Sequence, residues 1–229
     1  MIFADIPDNI GLKYAEYDDN LDEEEYRLRI SEWLMLFATR SPVIWLSFNT
    51  RWLPAVGYTV YTLLGCRLEE WNCKPCTQVF TFGQHNHKWL GDNMRPLWCL
   101  YHCDAEFYPD DIRVESERQR MGDKRADPRG RVPGNVFDFP RVPGNSKQRR
   151  RWHPTQLHEG LVERCIRFST RDGQHVCDPF AGTGTTLRVC RRIGRRCTLV
   201  EIDSTYCEEL LNEHQDLEFD DRLPTRTDS

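Results

Sequence analysis

Residues 176–190, VCDPFAGTGTTLRVC, constrain this chain more than any other stretch. An apolar run ends in an acid, Asp178, and Gly182-Thr-Gly184 then opens a segment with helical spacing. Glycines at such a turn let the backbone approach a ligand at the carboxyl edge of a sheet. Glu201 closes the next strand-like run, 23 residues after Asp178, where a carboxylate can accept hydrogen bonds from ribose hydroxyls. A phosphate-gripping loop would end in Gly-Lys-Ser/Thr, but Gly184 is followed by Thr185 and Thr186. A dinucleotide fingerprint would place a third glycine where Leu187 stands. S-adenosylmethionine carries no pyrophosphate and needs only the close turn and the ribose acid, so it fits the residues best.

The rest of the chain suits a layered α/β fold. A helix is expected over 26–37, where Tyr26, Ile30, Trp33, Leu34 and Phe37 recur at three- and four-residue steps behind an acidic first turn. VIWLSF (43–48) is continuously apolar and reads as a buried parallel strand. A helix over 51–64 and strands over 77–83 and 96–101 follow, the last two able to form a hairpin. Residues 155–168 read as a helix, then a strand (175–177), the glycine turn, a helix (186–193), a strand (197–202) and a last helix (204–214). The spacing predicts one domain over 1–214, with a loop-rich segment at 104–151 and a frayed tail at 215–229.

Charge is distributed unevenly. The chain of 229 residues has a formal net charge of -5, yet residues 113–151 carry 12 basic and 5 acidic side chains between acidic ends. Such a block is the electrostatic footprint of a phosphate-bearing partner, or else a solvated loop with scattered ion pairs. No apolar run reaches the ~18 residues of a membrane span. The opening MIFADIPDN is too short an apolar run for a secretory signal, so a cytoplasmic, reducing location with free thiols is expected for the 10 cysteines. Cys73 and Cys76, with Cys99 and His102 or Cys103, have metal-like spacing, but small buried thiols are the commoner use and no metal is expected.

DPFAGTGTT with GRRCTLVEIDSTYCEEL after it, and His153-Pro154-Thr155-Gln156 ahead of it, resemble the cofactor region of the amino-directed DNA methyltransferases. Asp5-Ile6-Pro7-Asp8 is similar to that family's catalytic Asp/Asn/Ser-Pro-Pro-aromatic motif, and the order of motifs resembles the β-class arrangement over about residues 2–214. The resemblance implies a doubly wound, mainly parallel Rossmann-like methyltransferase sheet with a basic insert at 104–151 for DNA. It implies S-adenosylmethionine as cofactor, held by Asp178, Phe180, Gly182, Gly184, Thr185 and Glu201, with His153 and Thr155 at its amino-acid end. Thr155 reads equally as a helix cap. Catalysis would fall to Asp5 and the Ile6 carbonyl, accepting both protons of an exocyclic base amine, with Pro7 stiffening the turn.

Two positions depart from the motif: Ile6 stands for proline and Asp8 for the ring that stacks on the flipped base. Tyr14 and Tyr17 are the nearest substitute rings, each equally readable as packing, and Tyr14 is the one expected to stack. Lys147, Arg149, Arg150, Arg151 and Arg125 are candidate phosphate contacts on double-stranded DNA. The expected activity is methylation of adenine N6, ahead of cytosine N4, in a restriction-modification setting. A homodimer and a cognate restriction endonuclease are the expected company. Two alternatives stay open: an impaired cofactor- and DNA-binding module, and methylation of RNA or a protein amide.

Overall fold

The computed structural model describes residues 1–66, 70–80, 87–218 and 220. Eight strands form one sheet: β1 (Ile2–Asp5), β2 (Val43–Ser47), β3 (Trp71–Lys74), β4 (Thr77–Val79), β5 (Met94–His102), β6 (Val136–Asp138), β7 (His175–Asp178) and β8 (Arg196–Leu199). Their order is β6-β4-β5-β2-β1-β7-β8, with β3 also paired to β5. Strands β2, β1, β7 and β8 are mutually parallel, and β5 runs antiparallel to β2. The helices are α1 (Glu23–Arg40), α2 (Leu53–Cys66), α3 (Glu117–Arg120), α4 (Glu159–Ser169), α5 (Thr185–Arg192) and α6 (Ser204–Glu213).

Side-chain alternation along the central strands divides the core into two layers. Ile2, Ala4 and Ile6, with Ile44, Leu46 and Leu100, pack under Tyr26, Ile30, Leu34 and Phe37 of α1 and Val56 and Val60 of α2. Phe3, Val43, Trp45, Leu97, Cys99 and Val176 face the other way, onto Leu161, Val162, Cys165 and Ile166 of α4 and Val189 and Cys190 of α5. A period of two in strands clothed on both faces makes the runs continuously apolar, and all five residues of β2 are buried accordingly. This is the expected doubly wound α/β sheet.

The chain leaves β1 for β2 on one side and reaches β7 and β8 on the other. The strand order therefore reverses between β1 and β7, the seam where open α/β sheets bind ligands beyond their carboxyl ends. Asp5 and Asp178 end these neighbouring strands, with Ile2 opposite Cys177 in the register.

Several boundaries differ from the expected ones. The helix expected from 155 begins at Glu159, capped by His158, whose Nδ1 accepts from the Gly160 N–H at 3.0 Å. Thr155 is therefore not the cap. The basic insert is not purely loop: β6 pairs in parallel with β4, and Phe137 enters the core. The expected hairpin forms, with β4 antiparallel to β5, though residues 81–83 of the strand expected over 77–83 lie outside the described residues. Phe219 and residues 221–229 of the expected tail also lie outside them.

Candidate active site

Three residues carry the chain away from β1, and each is tied down by a neighbour. The Ile6 N–H donates to the Ser47 carbonyl at 3.1 Å. The Pro7 carbonyl accepts from the Tyr26 hydroxyl, and the Asp8 carbonyl accepts from Trp52 Nε1 at 2.8 Å. A proline is thus not needed at position 6 to fix this turn, because β2, α1 and the turn before α2 hold it from three sides. Beyond it, buried Asp19 accepts from the N–H groups of Asn9, Ile10 and Leu12 and folds the following loop back over the seam.

At the carboxyl end of β1, Arg95 from the start of β5 reaches across β2. Its Nη2 donates to Asp5 Oδ1 at 2.7 Å, its Nη1 to Asp8 Oδ2 at 3.1 Å and its Nε to Ser47 Oγ at 2.8 Å. Nη2 also lies 2.9 Å from Asp8 Oδ1. Burial disfavours the Arg95 charge, but Asp5 and Asp8 outweigh it and hold the guanidinium well above its ordinary pKa. Among the described residues no donor bonds Asp5 Oδ2 or the Ile6 carbonyl.

The glycine turn lies across the seam. Asp178 is buried; its Oδ1 accepts from the Phe180 N–H at 3.0 Å and its Oδ2 from the Thr186 hydroxyl at 2.6 Å. Burial pushes its carboxyl up to about 7; those two hydrogen bonds oppose the rise, and the negative charges of Asp5 and Glu201 add to it. Gly182 and Gly184 adopt φ of +46° and +69°, left-handed values that favour glycine. A Cβ on Gly184 would sit 2.5 Å from Leu210 Cδ2, and one on Gly182 3.0 Å from His153 Nε2.

Glu201 Oε2 accepts from the Gly182 N–H at 2.7 Å, and Oε1 from the Asp203 N–H at 3.0 Å. Burial raises this carboxyl above the usual range. Asp203 caps α6 and accepts from the Ala15 N–H at 3.1 Å, which ties the loop bearing Tyr14 to the cofactor side.

The remaining expected cofactor residues occupy distinct places. Phe180 packs edge-on against Trp33 at 5.0 Å, beneath α1. The Thr185 hydroxyl bonds Thr183 at 3.0 Å and accepts from Arg188 at 3.2 Å within the turn. His153 stands beside Gly182, its ring 4.6 Å from that of Tyr206 and 6.1 Å from that of Tyr14, and burial lowers its pKa. Thr155 folds back onto it, its N–H 3.2 Å from His153 Nδ1. The Tyr14 hydroxyl is raised by burial and by the nearby charges of Asp19, Asp8 and Asp5, which places it at the acceptor end of the seam.

The expected DNA contacts separate into two groups. Lys147 and Arg151 are exposed and have no ion-pair partner among the described residues. Arg149 donates to the carbonyls of His153 and Pro154 at 2.7 and 2.9 Å, and Arg150 grips Glu213, so both brace the segment that positions His153. Arg125 is exposed but paired with Asp123. Arg118, Arg120 and Arg129 are likewise paired with acids of the insert.

The cysteines of the metal-like spacing point apart. Cys73 packs on the α1–α2 side of the sheet, whereas Cys76 and Cys99 lie in the α4–α5 layer. Burial pushes the Cys73 thiol up to about 12 and that of Cys76 to about 11, opposite to what a thiolate ligand requires. Among the described residues one group, Glu70, His102 and Cys103, gathers ligand atoms within 4.8 Å, and there His102 Nε2 is hydrogen-bonded directly to Glu70 at 2.7 Å.

A doubly wound sheet with a close glycine turn at its switch point, an acid just after the next strand and a second acid ending the neighbouring one is a Rossmann-like cofactor site, and its family makes the class an S-adenosylmethionine-dependent methyltransferase. Residues 1–213 match the N6/N4 methyltransferase profile, described as DNA methylase, and the chain belongs to that family. Among curated relatives it is 29% identical over 224 residues to the type II methyltransferase M.HpaI of Haemophilus parainfluenzae, covering 96% of this chain and 68% of the relative. It is 31% identical over 219 residues to the DNA adenine methyltransferase YhdJ of Escherichia coli K12, covering 90% and 72%. The solved structure of PvuII DNA methyltransferase, described as cytosine-N4-specific, shares the fold with a TM-score of 0.62 at 15% identity, over 97% of this chain and 80% of that one.

Proposed function

We propose that this DNA methyltransferase methylates adenine N6 in duplex DNA, with Asp5 and the Ile6 carbonyl as the two acceptors of the target amine. The observation that carries the reading is the pair of unbonded acceptors, Asp5 Oδ2 and the Ile6 C=O, at the end of β1 beside the glycine turn. An aryl amine delocalises its lone pair into the ring. Two acceptors, one on each N–H, favour a pyramidal nitrogen whose lone pair points at the methyl donor. The nitrogen gains the methyl and sheds one proton, for which Asp5 Oδ2 is the adjacent base. The adenine preference rests on Asp heading the motif and on the likeness to YhdJ.

The turn fits the cofactor. Glu201, bonded to the Gly182 N–H, retains lone pairs for ribose hydroxyls, and Gly182 and Gly184 supply the left-handed turn that sets the backbone beside it. When bound, S-adenosylmethionine supplies a methyl group on a sulfonium that leaves as a neutral thioether. The side chains orient the partners: Pro7, Tyr26 and Trp52 hold the acceptor turn still, and His153 walls the glycine turn. Tyr14 feels the charges of Asp8 and Asp5 and stands beside His153, which supports it as the surface for a flipped base. Lys147 and Arg151, exposed and without an ion-pair partner among the described residues, are candidate phosphate contacts. The type II name of M.HpaI supports a restriction-modification setting with a cognate endonuclease.

The test is methyl transfer from radiolabelled cofactor to unmodified duplex DNA, followed by mass spectrometry of the nucleosides. The parent is expected to yield N6-methyladenine. Asp5→Ala is expected to lose about 10³-fold or more in kcat while binding the cofactor normally. N4-methylcytosine would overturn the base assignment. No product from the parent would favour a binding module without transfer.

A further inference from the structure

We propose that Asp8 is a counter-charge that confines Arg95 to one oxygen of Asp5, so that Asp5 keeps its other oxygen for the target amine. The inference rests on the reading of Asp5 given above and assigns a role to the position where the family's motif carries a ring. A guanidinium is a planar fork, and facing a lone carboxylate it closes on both oxygens. Here the fork is split between the two acids: Nη1 donates to Asp8 Oδ2 at 3.1 Å, while Asp8 Oδ1, 2.9 Å from Nη2, accepts no hydrogen bond among the described residues. Nη2 gives its hydrogen bond to Asp5, at 2.7 Å on Oδ1, and Asp5 receives no second N–H from the guanidinium. Ser47 Oγ, accepting from Nε at 2.8 Å, fixes the third edge of the guanidinium.

The group is well shielded, with side-chain exposures of 20% for Arg95, 28% for Asp5 and 12% for Asp8, so its charges act at short range with little screening. Two carboxylates against one guanidinium leave one negative charge at the rim, the sign that suits an amine gaining positive charge. Without Asp8, Arg95 would neutralise Asp5 and occupy the oxygen that must accept the amine proton. Without both, Asp5 would be free but less rigidly held. Asp8 and Arg95 are thus positioning residues whose losses should not multiply.

Steady-state methyl transfer to unmodified mixed-sequence duplex DNA, with the whole chain, tests this. Asp8→Asn is expected to lower kcat about 100-fold with KM for the cofactor changed by less than about threefold. Adding Arg95→Met, or Arg95→Lys, which has no fork, is expected to restore kcat at least about tenfold over Asp8→Asn alone. A purely structural role would make the double variants as poor as Asp8→Asn or worse, and that result overturns the inference. A loss in Asp8→Asn confined to KM also overturns it. Thermal melts and calorimetric cofactor binding accompany each variant. Should Asp8→Asn melt below the assay temperature, Asp8→Glu replaces it: a kcat within tenfold of the parent supports the inference, and a loss as deep as that of Asp5→Ala overturns it. An inactive parent, or an active Asp5→Ala, removes the underlying reading and the inference with it. Activity that needs Asp5 but shows no recovery in the double variants removes the inference alone.

Discussion

On the cofactor side of the seam between β1 and β7, Asp178, Glu201 and Asp203 are held by backbone N–H groups and one threonine hydroxyl. On the acceptor side, Asp5 and Asp8 share a guanidinium. Both arrangements immobilise carboxylates at the rim of one sheet, yet they leave different electrostatic remainders. Amide donors fix an acid without cancelling its charge, and burial then raises the carboxyl pKa, as at Asp178 and Glu201. A guanidinium fixes an acid and cancels one charge of the pair. The methyl donor is a cation, which suits acids whose charge is not cancelled, and the side that receives a neutral amine tolerates a guanidinium.

The largest effect that would sharpen this contrast is on stability. Asp178 binds its proton more tightly folded, at about 7, than unfolded, near 3.8. Its contribution is therefore full below pH 4 and is lost as pH rises through 7, a swing of up to about 4 kcal/mol. Asp178→Asn keeps the acceptor for the Phe180 N–H and carries no charge. Denaturant titrations should show the variant gaining on the parent as pH rises from 4 to 8, and parallel curves would break the account of Asp178 as an uncompensated buried acid. Next in size, Glu201→Gln should weaken cofactor binding by about 10- to 100-fold, the worth of a charged hydrogen bond. In the parent, affinity should fall on acidification at a pH above the ordinary glutamate range, because Glu201 is raised. Calorimetry in which Glu201→Gln retains that pH dependence would assign it to another group.

Much of this arrangement was legible along the chain because it follows from periodicity and local turn chemistry. The apolar run Val43–Leu46 of β2 had to be covered on both faces, and the parallel crossovers then place β1 beside β7. Arg95 was not legible. It heads β5 some 90 residues from Asp5, and its reach depends on the register that sets Ser47 opposite Leu97. Nothing local marks an arginine before an apolar strand as the partner of an acid in another. The strands β3 and β6 are too short, at four and three residues, for a period to emerge. Within HPTQ, Thr155 is a better cap by residue type than His158. Yet Thr155 is drawn back onto His153, and Gln148 Oε1 accepts the Glu159 N–H at 3.3 Å, so the helix begins four residues later.

The basic insert supplies the smallest expected effect and the one most easily misjudged from charge counts. Part of its positive charge is already paired with its own acids: Asp123 takes Arg118 and Arg125, Asp127 takes Arg129, and Glu115 takes Arg120. Exposed pairs of this kind are weak, so DNA can displace them, but each displacement returns part of what the phosphate contact gains. Lys147 and Arg151 have no such competitor. Each phosphate contact adds about 0.9 to the slope of log affinity against log salt. Replacing Lys147 and Arg151 together by alanine should therefore lower that slope by about 1 to 2. Arg125→Ala should lower it by clearly less than one contact, because removing Arg125 also leaves Asp123 to Arg118. Equal slope changes per residue would mean that the insert's internal pairs open fully on the duplex, and that the charge balance alone, rather than its pairing, sets the DNA contact.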